Sequence, residues 1–160
     1  MKALPMKFAL VAGTLMLGAP TAVLAQAGPF GGFAGSWAGS GTVAMSDGSS
    51  ERIRCKASYS VGEGGSSVQQ TLRCAGDSYK FDISSAVTSR DGNISGSWSE
   101  SSRNVSGNLE GRAGAGQLTA QVQAAGFVAN LQMTTRGNRQ SVSISSPGEF
   151  RNVSVNLVRG

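Results

Sequence analysis

The sequence predicts an all-β protein, an up-and-down antiparallel meander of about ten strands, closed or nearly closed into a barrel. Three observations carry this. Between Trp37 and Leu157, apolar side chains alternate with Ser, Thr, Asn, Gln or Arg in one short segment after another, the period of strands with one buried face. Gly-rich turns separate the segments. No helical segment is predicted to cover the apolar faces, so the sheet must cover itself by curling into a barrel or folding into a sandwich. Tight turns without long crossings favour the barrel, and closure would remove the exposed sheet edges.

The first 27 residues stand apart. Met1 to Lys7 is a basic start, residues 8–17 are an apolar run broken by Gly13 and Thr14, and Ala25-Gln26-Ala27 is a small-x-small cleavage site, with Val23-Leu24-Ala25 as the alternative. The run is too short for a permanent membrane helix. Residues 1–27 are therefore expected to be a signal peptide cleaved after Ala27, leaving a periplasmic or secreted protein with no transmembrane span. The formal charge of +5 includes Lys2 and Lys7, so the mature chain is only mildly basic and gives no sign of nucleic-acid binding. Residues 28–34 read as a flexible lead, and residues 35–160 as a single barrel domain.

The strands follow in order over residues 35–46, 51–61, 67–74, 78–86, 92–99, 104–111, 116–123, 127–134, 140–146 and 151–158. Folding each onto the next tests the assignment. Asp47-Gly48-Ser49 brings Val43 to Ile53, and Gly64-Gly65 brings Val61 to Val68, Ala57 to Leu72 and Cys55 to Cys74. Ala75-Gly76 brings Leu72 to Tyr79 and Val68 to Ile83; Ser101-Ser102 brings Trp98 to Val105 and Ile94 to Leu109. Ala113-Gly114 brings Leu109 to Leu118, and Ala124-Ala125 brings Val122 to Phe127 and Leu118 to Leu131. Gly137-Asn138 brings Met133 to Val142, and Gly148 brings Ile144 to Val153. Apolar residues oppose one another in these hairpins, and a one-residue slip would turn each set to the wrong face. Gly39, Gly41, Gly96, Gly107 and Gly111 fall on the inner face, where they fit sharp bending or close approach of backbone or ligand.

Cys55 and Cys74, the two cysteines of the chain, are predicted to form a disulfide rung between neighbouring strands, a staple worth about 3 kcal/mol. The chain contains no histidine, so it lacks a Ser-His-Asp arrangement and the usual zinc and haem ligands. Asp47, Glu63, Asp77, Asp91 and Glu149 sit at turns, and Asp82 and Glu110 on the polar face. Glu100 alone has inner parity, beside Arg103, so no facing pair of carboxylates serves glycoside chemistry. The Gly-rich segments at Gly35 and Gly111 lack the Gly-Lys-Ser/Thr ending of a phosphate loop. Neither enzymatic activity nor a cofactor or metal is expected.

Two features remain. Trp37, Tyr59, Gln70, Trp98 and Phe127 have inner parity and are the candidates for lining a ligand cavity, since a barrel of this size is either plugged by its own side chains or holds a small apolar ligand. Arg52, Arg54 and Lys56 alternate on the outer face of one strand, with Arg73 opposite Lys56 and Lys80 one strand further. Like charges so placed are mildly destabilising and suit an anionic envelope component such as lipid A phosphates or an acidic glycan.

Gly35-Ser36-Trp37 opening the first strand resembles the Gly-x-Trp start of the calycins (lipocalins, fatty-acid-binding proteins, avidins), although the Thr-Asp-Tyr segment and C-terminal helix of lipocalins are absent. Ala34 to Trp37 with one disulfide also looks like the periplasmic metalloprotease inhibitors, which enter the protease cleft with an N-terminal trunk; residues 26–33 would be that trunk, though the cysteine spacing is wider. Residues 53–57 and 72–75, Gly96 to Glu100, and Gly137 to Ser141 resemble a family of uncharacterised exported β-barrel proteins of α-proteobacteria, which brings no activity with it. The expected function is a non-enzymatic exported binding protein holding a small apolar or amphipathic, lipid-like ligand inside the barrel. The alternatives are a protease inhibitor acting through its N-terminal segment and a structural envelope protein with no small ligand.

Overall fold

A computed structural model describes residues 28–148 and 150–160; the expected signal peptide and the turn acid Glu149 lie outside them. Ten strands follow one another: β1 (Gly35–Met45), β2 (Ser50–Val61), β3 (Ser67–Ala75), β4 (Lys80–Arg90), β5 (Asn93–Glu100), β6 (Val105–Gly114), β7 (Gln117–Ala124), β8 (Phe127–Arg136), β9 (Arg139–Ser145) and β10 (Phe150–Arg159). A short 3₁₀ turn, Glu63–Gly65, joins β2 to β3. Every strand pairs antiparallel with its neighbours in sequence, and β10 returns to β1, with Trp37 opposite Arg159 and Val43 opposite Val153. The barrel is closed.

The expected pairings of β2 with β3, β8 with β9 and β9 with β10 stand, including Cys55 opposite Cys74. The other tested hairpins are shifted. Val43 meets Glu51, Leu72 meets Ile83, Trp98 meets Gly107, Leu109 meets Val122, and Val122 meets Ala129. Each shift is by an even number of residues, so every apolar set keeps its face. The cause lies in the turns. The β6–β7 hairpin turns on Ala115 and Gly116, both at positive φ (52° and 76°), and the β4–β5 hairpin on Asp91 and Gly92 (52° and 79°). This is the left-handed two-residue turn that matches strand twist, and it lies further along the chain than Ala113-Gly114.

Alternation gives the barrel two distinct ends. At the first, where β1 enters, residues 28–34 fold across the opening and fill it. Gly28 and Phe30 donate their N–H groups to the carbonyls of Gly64 (2.6 Å) and Gly65 (3.0 Å). Phe30 and Phe33 are buried among Trp37, Tyr59, Val68 and their neighbours, and the Trp37 indole donates to the Phe33 carbonyl at 2.8 Å. Sequence reasoning expected a flexible lead here; two apolar rings make it a plug, because their burial is worth about 2 kcal/mol each. The Arg159 side chain locks it, stacking 4.6 Å from the Trp37 ring centre and donating to the Gly32 carbonyl.

The inner glycines serve backbone approach. A Cβ at Gly39 would lie 1.8 Å from the Asn156 carbonyl oxygen, at Gly96 2.2 Å from that of Ala86, and at Gly107 1.7 Å from that of Gln123. Adjacent strands curl so tightly at these points that no side chain fits. A substitution there tests the barrel wall, not ligand space.

Candidate functional site

The plugged end is packed, and so is the β1–β2 wall beyond it, where Val43 and Ile53 are fully buried; the lumen along β4, β5 and β7 to β9 is packed less tightly. Ile83, Trp98, Val122, Phe127, Leu131, Val142 and Ile144 share inner parity with buried neighbours such as Leu109 and Leu118, yet all remain half-buried. These residues mark the half of the lumen that side chains fill less tightly, its open half in that sense; the far end of this half is crossed by the contacts of Phe150 with Tyr79 and Phe81.

Its far wall is built by one rung of the sheet. Trp98, Gly107, Ala124 and Phe127 follow one another across β5, β6, β7 and β8. The two small residues leave room for the two aromatic ones. The indole lies across β6 to reach the Gln123 carbonyl at 3.3 Å and meets Phe127 edge-on, centroids 6.2 Å apart, a geometry favoured by the ring quadrupoles.

A directional hydrogen-bond chain crosses the barrel between this space and the plug. Ser85 donates to Gln70 (3.0 Å), Gln70 to the Tyr59 hydroxyl (3.3 Å), Tyr59 to Gln140 (2.6 Å), and Gln140 to Thr135 (3.0 Å). Five strands contribute one residue each, and Tyr59 reaches Gln140 across the lumen, not along the sheet. Each donor finds an acceptor, which is the condition for burying such groups without loss. Burial also raises the Tyr59 phenol well above its ordinary value, against the opposing effect of Gln70 and Gln140, so it stays a neutral donor.

The open rim carries aromatic and charged groups. Phe150 packs edge-on against Tyr79 and Phe81 (5.2 and 5.5 Å), and the Arg103 guanidinium lies over Phe81 and Phe150 (5.0 and 5.7 Å). Glu100 is buried at the turn that holds Arg103. Its carboxylate accepts the backbone N–H groups of Asp82 (2.9 Å), Ser102 (3.2 Å) and Arg103 (2.8 Å), the Ser102 hydroxyl, and pairs with the Arg103 guanidinium at 3.7 Å. Burial opposes ionisation, but these hydrogen bonds outweigh it and hold the carboxyl below its usual range.

The structure separates the five inner candidates. Trp37 and Tyr59 are buried in the plugged half, their rings edge-on at 6.3 Å. Trp98 and Phe127 wall the open half, and Gln70 stands at the boundary. Sequence reasoning missed Ser85, Gln140 and Thr135 as partners of Tyr59, because a contact across the lumen leaves no trace in hairpin register. The outer basic residues lie on one face: Arg52, Arg54 and Lys56 are exposed on β2, with Lys56 opposite Arg73. The shifted β3–β4 register brings Asp82, not a further cation, opposite Arg73, where they pair at 3.4 Å, and leaves Lys80 opposite Ala75. Two outer troughs of about 860 and 520 Å³ cross β2 to β6 and β2 to β5; the first is lined mainly by Ser, Thr, Asn and Gln and reaches Trp98, and the second mixes such residues with Val, Ala and Gly. Among the described residues, no cluster of His, Cys, Asp and Glu could hold a metal, and no helix is long and apolar enough to cross a membrane. The disulfide is formed and buried on the inner face.

No protein-family model and no curated protein matches this chain. Its fold is shared with solved structures. Rv2717c from M. tuberculosis superposes with a TM-score of 0.65 at 12% identity, over 81% of this chain and 94% of that one. The S-type phycobiliprotein lyase CPES from Guillardia theta does so with a TM-score of 0.56 at 9% identity, over 82% and 90%. At such identities the likeness concerns architecture alone, a closed antiparallel β-barrel.

Proposed function

We propose that the protein is an exported, non-enzymatic carrier or receptor that takes a small apolar or amphipathic ligand into the open half of its lumen. The observation that carries this is the half-burial of inward Trp98, Phe127 and Leu131, where a filled barrel would bury them. The support from fold is general: a closed β-barrel of this size can hold a small apolar ligand among its inward side chains. The disulfide supports an oxidising compartment, in keeping with the expected leader and with the resemblance of residues 53–57 and 72–75 to exported α-proteobacterial proteins. The inhibitor alternative finds less support, because Phe30 and Phe33, which a free trunk would present, are buried. The remaining residues of that trunk, Gln26 and Ala27, lie outside the described chain.

The test uses N-phenyl-1-naphthylamine, a neutral apolar fluorophore. Saturable one-to-one enhancement of its fluorescence is expected, with Leu131→Gln weakening binding roughly tenfold or more, the loss of about one buried leucine side chain. No saturable enhancement, or the same affinity in Leu131→Gln, would remove the carrier reading and leave the structural alternative.

A further inference from the structure

The plugged end of the barrel carries a basic rim that the ligand reading does not use. Arg90 closes β4, Arg136 closes β8, Arg139 opens β9, and Arg112 lies two residues before the end of β6. All four are exposed and have the parity that points outward. Arg136 and Arg139 are direct register partners, and Asn93 lies between Arg90 and Arg112. Like charges set opposite one another cost stability, and none of the four is in an ion pair: among the described residues those are Arg73–Asp82 and Glu100–Arg103, while Asp91 beside Arg90 and Glu110 near Arg112 offset the rim only in part. At the opposite end charges of both signs are mixed, Asp47, Glu51, Asp77, Asp82 and Glu100 with Lys80, Arg103 and Arg151. The charge is thus polarised along the barrel axis, positive at the plug.

We propose that the plugged end docks on an anionic lipid surface and holds the open mouth away from it. The four arginines lie on strands spread around half the barrel, all within two residues of the turns at one end. A flat anionic plane meets them together, whereas a groove or a linear polymer meets only part of the rim. Val158, 49% exposed and the register partner of Arg139, adds an apolar foothold beside the charges. The β2 patch is the weaker surface: Arg73 is neutralised by Asp82, and Arg52, Arg54 and Lys56 run along one strand of a curved wall.

The test is vesicle sedimentation of the chain from residue 28, which closes the barrel and its plug with its own residues. Vesicles are phosphatidylcholine alone or with about a third phosphatidylglycerol. Binding is expected only to the anionic vesicles and is reversed by high salt. The variant Arg90→Ser/Arg136→Ser/Arg139→Ser should lose on the order of 100-fold in partitioning, while Arg52→Ser/Arg54→Ser/Lys56→Ser loses much less. Hydrogen exchange of the unmodified chain gives a readout free of substitutions: vesicles should slow exchange at the turns 91–92, 115–116 and 137–138. Binding to both vesicle types alike, loss confined to the β2 variant, protection at the open end, or binding to a soluble polyanion without binding to vesicles would each overturn the proposal. None of these outcomes depends on whether the lumen takes a ligand.

Discussion

At the scale of single residues, Glu100 does the most with the least exposure. Parity alone puts it inside, and its role comes from what is aimed at it: two backbone N–H groups and a hydroxyl from the β5–β6 turn and a third N–H, that of Asp82, from β4. A carboxyl held below its usual range stabilises the fold above the unfolded-state value, and the contribution is lost as pH falls through the folded-state value. Glu100→Gln should therefore cost roughly 2 kcal/mol at neutral pH. The difference in melting temperature from the parent should narrow in acid, where both side chains are neutral. A gap that is constant across that range would assign the cost to geometry and not to charge. Sequence placed Glu100 beside Arg103, but not its hydrogen bonds, because they depend on how the chain turns between Ser101 and Asn104.

At the scale of strands, alternation carries most of the information, and glycine carries the rest. The inner and outer faces of all ten strands are legible in the sequence, because the side-chain period of a strand is fixed. The register is legible only modulo two: Leu72 can meet Tyr79 or Ile83 with the same face buried, and the turn decides. The glycines looked equally suited to bending and to ligand space, and carbonyl oxygens within about 2 Å of the absent Cβ atoms at Gly39, Gly96, Gly107 and Gly111 assign them to bending. Gly107→Ala should cost about 3 kcal/mol and release the Trp98–Gln123 hydrogen bond, seen as a shift in indole emission. Gly114→Ala, on the same strand with nothing within 4 Å, should leave the denaturant midpoint nearly unchanged. Equal stability in the two variants would remove the close-approach account.

For the whole molecule, the main departure from the sequence reading is the asymmetry of the lumen. Period-two patterning treats every inner residue alike, so it had no means of separating Trp37 and Tyr59, buried under the plug, from Trp98 and Phe127 on the open wall. That division depends on Phe30 and Phe33, which belong to no strand. Phe30→Ala should therefore destabilise the barrel by about 4 kcal/mol, measured by urea unfolding, although it alters no strand pairing. A loss below about 1 kcal/mol would mean the plug rests on the end without supporting it.

The seam between β1 and β10 bears on the order of assembly. Nine of the ladders join consecutive strands and can form from local hairpins as soon as both partners exist. The tenth joins Trp37 to Arg159 and must wait for the whole meander, at the entropic cost of closing the longest loop in the molecule. Until then the chain is an open sheet with two unpaired edges and an uncovered apolar face, the state most prone to stick to its own kind. Folding should end in a single slow zippering step, and shortening β10 should act first on yield and aggregation, before any property of the finished barrel can be measured.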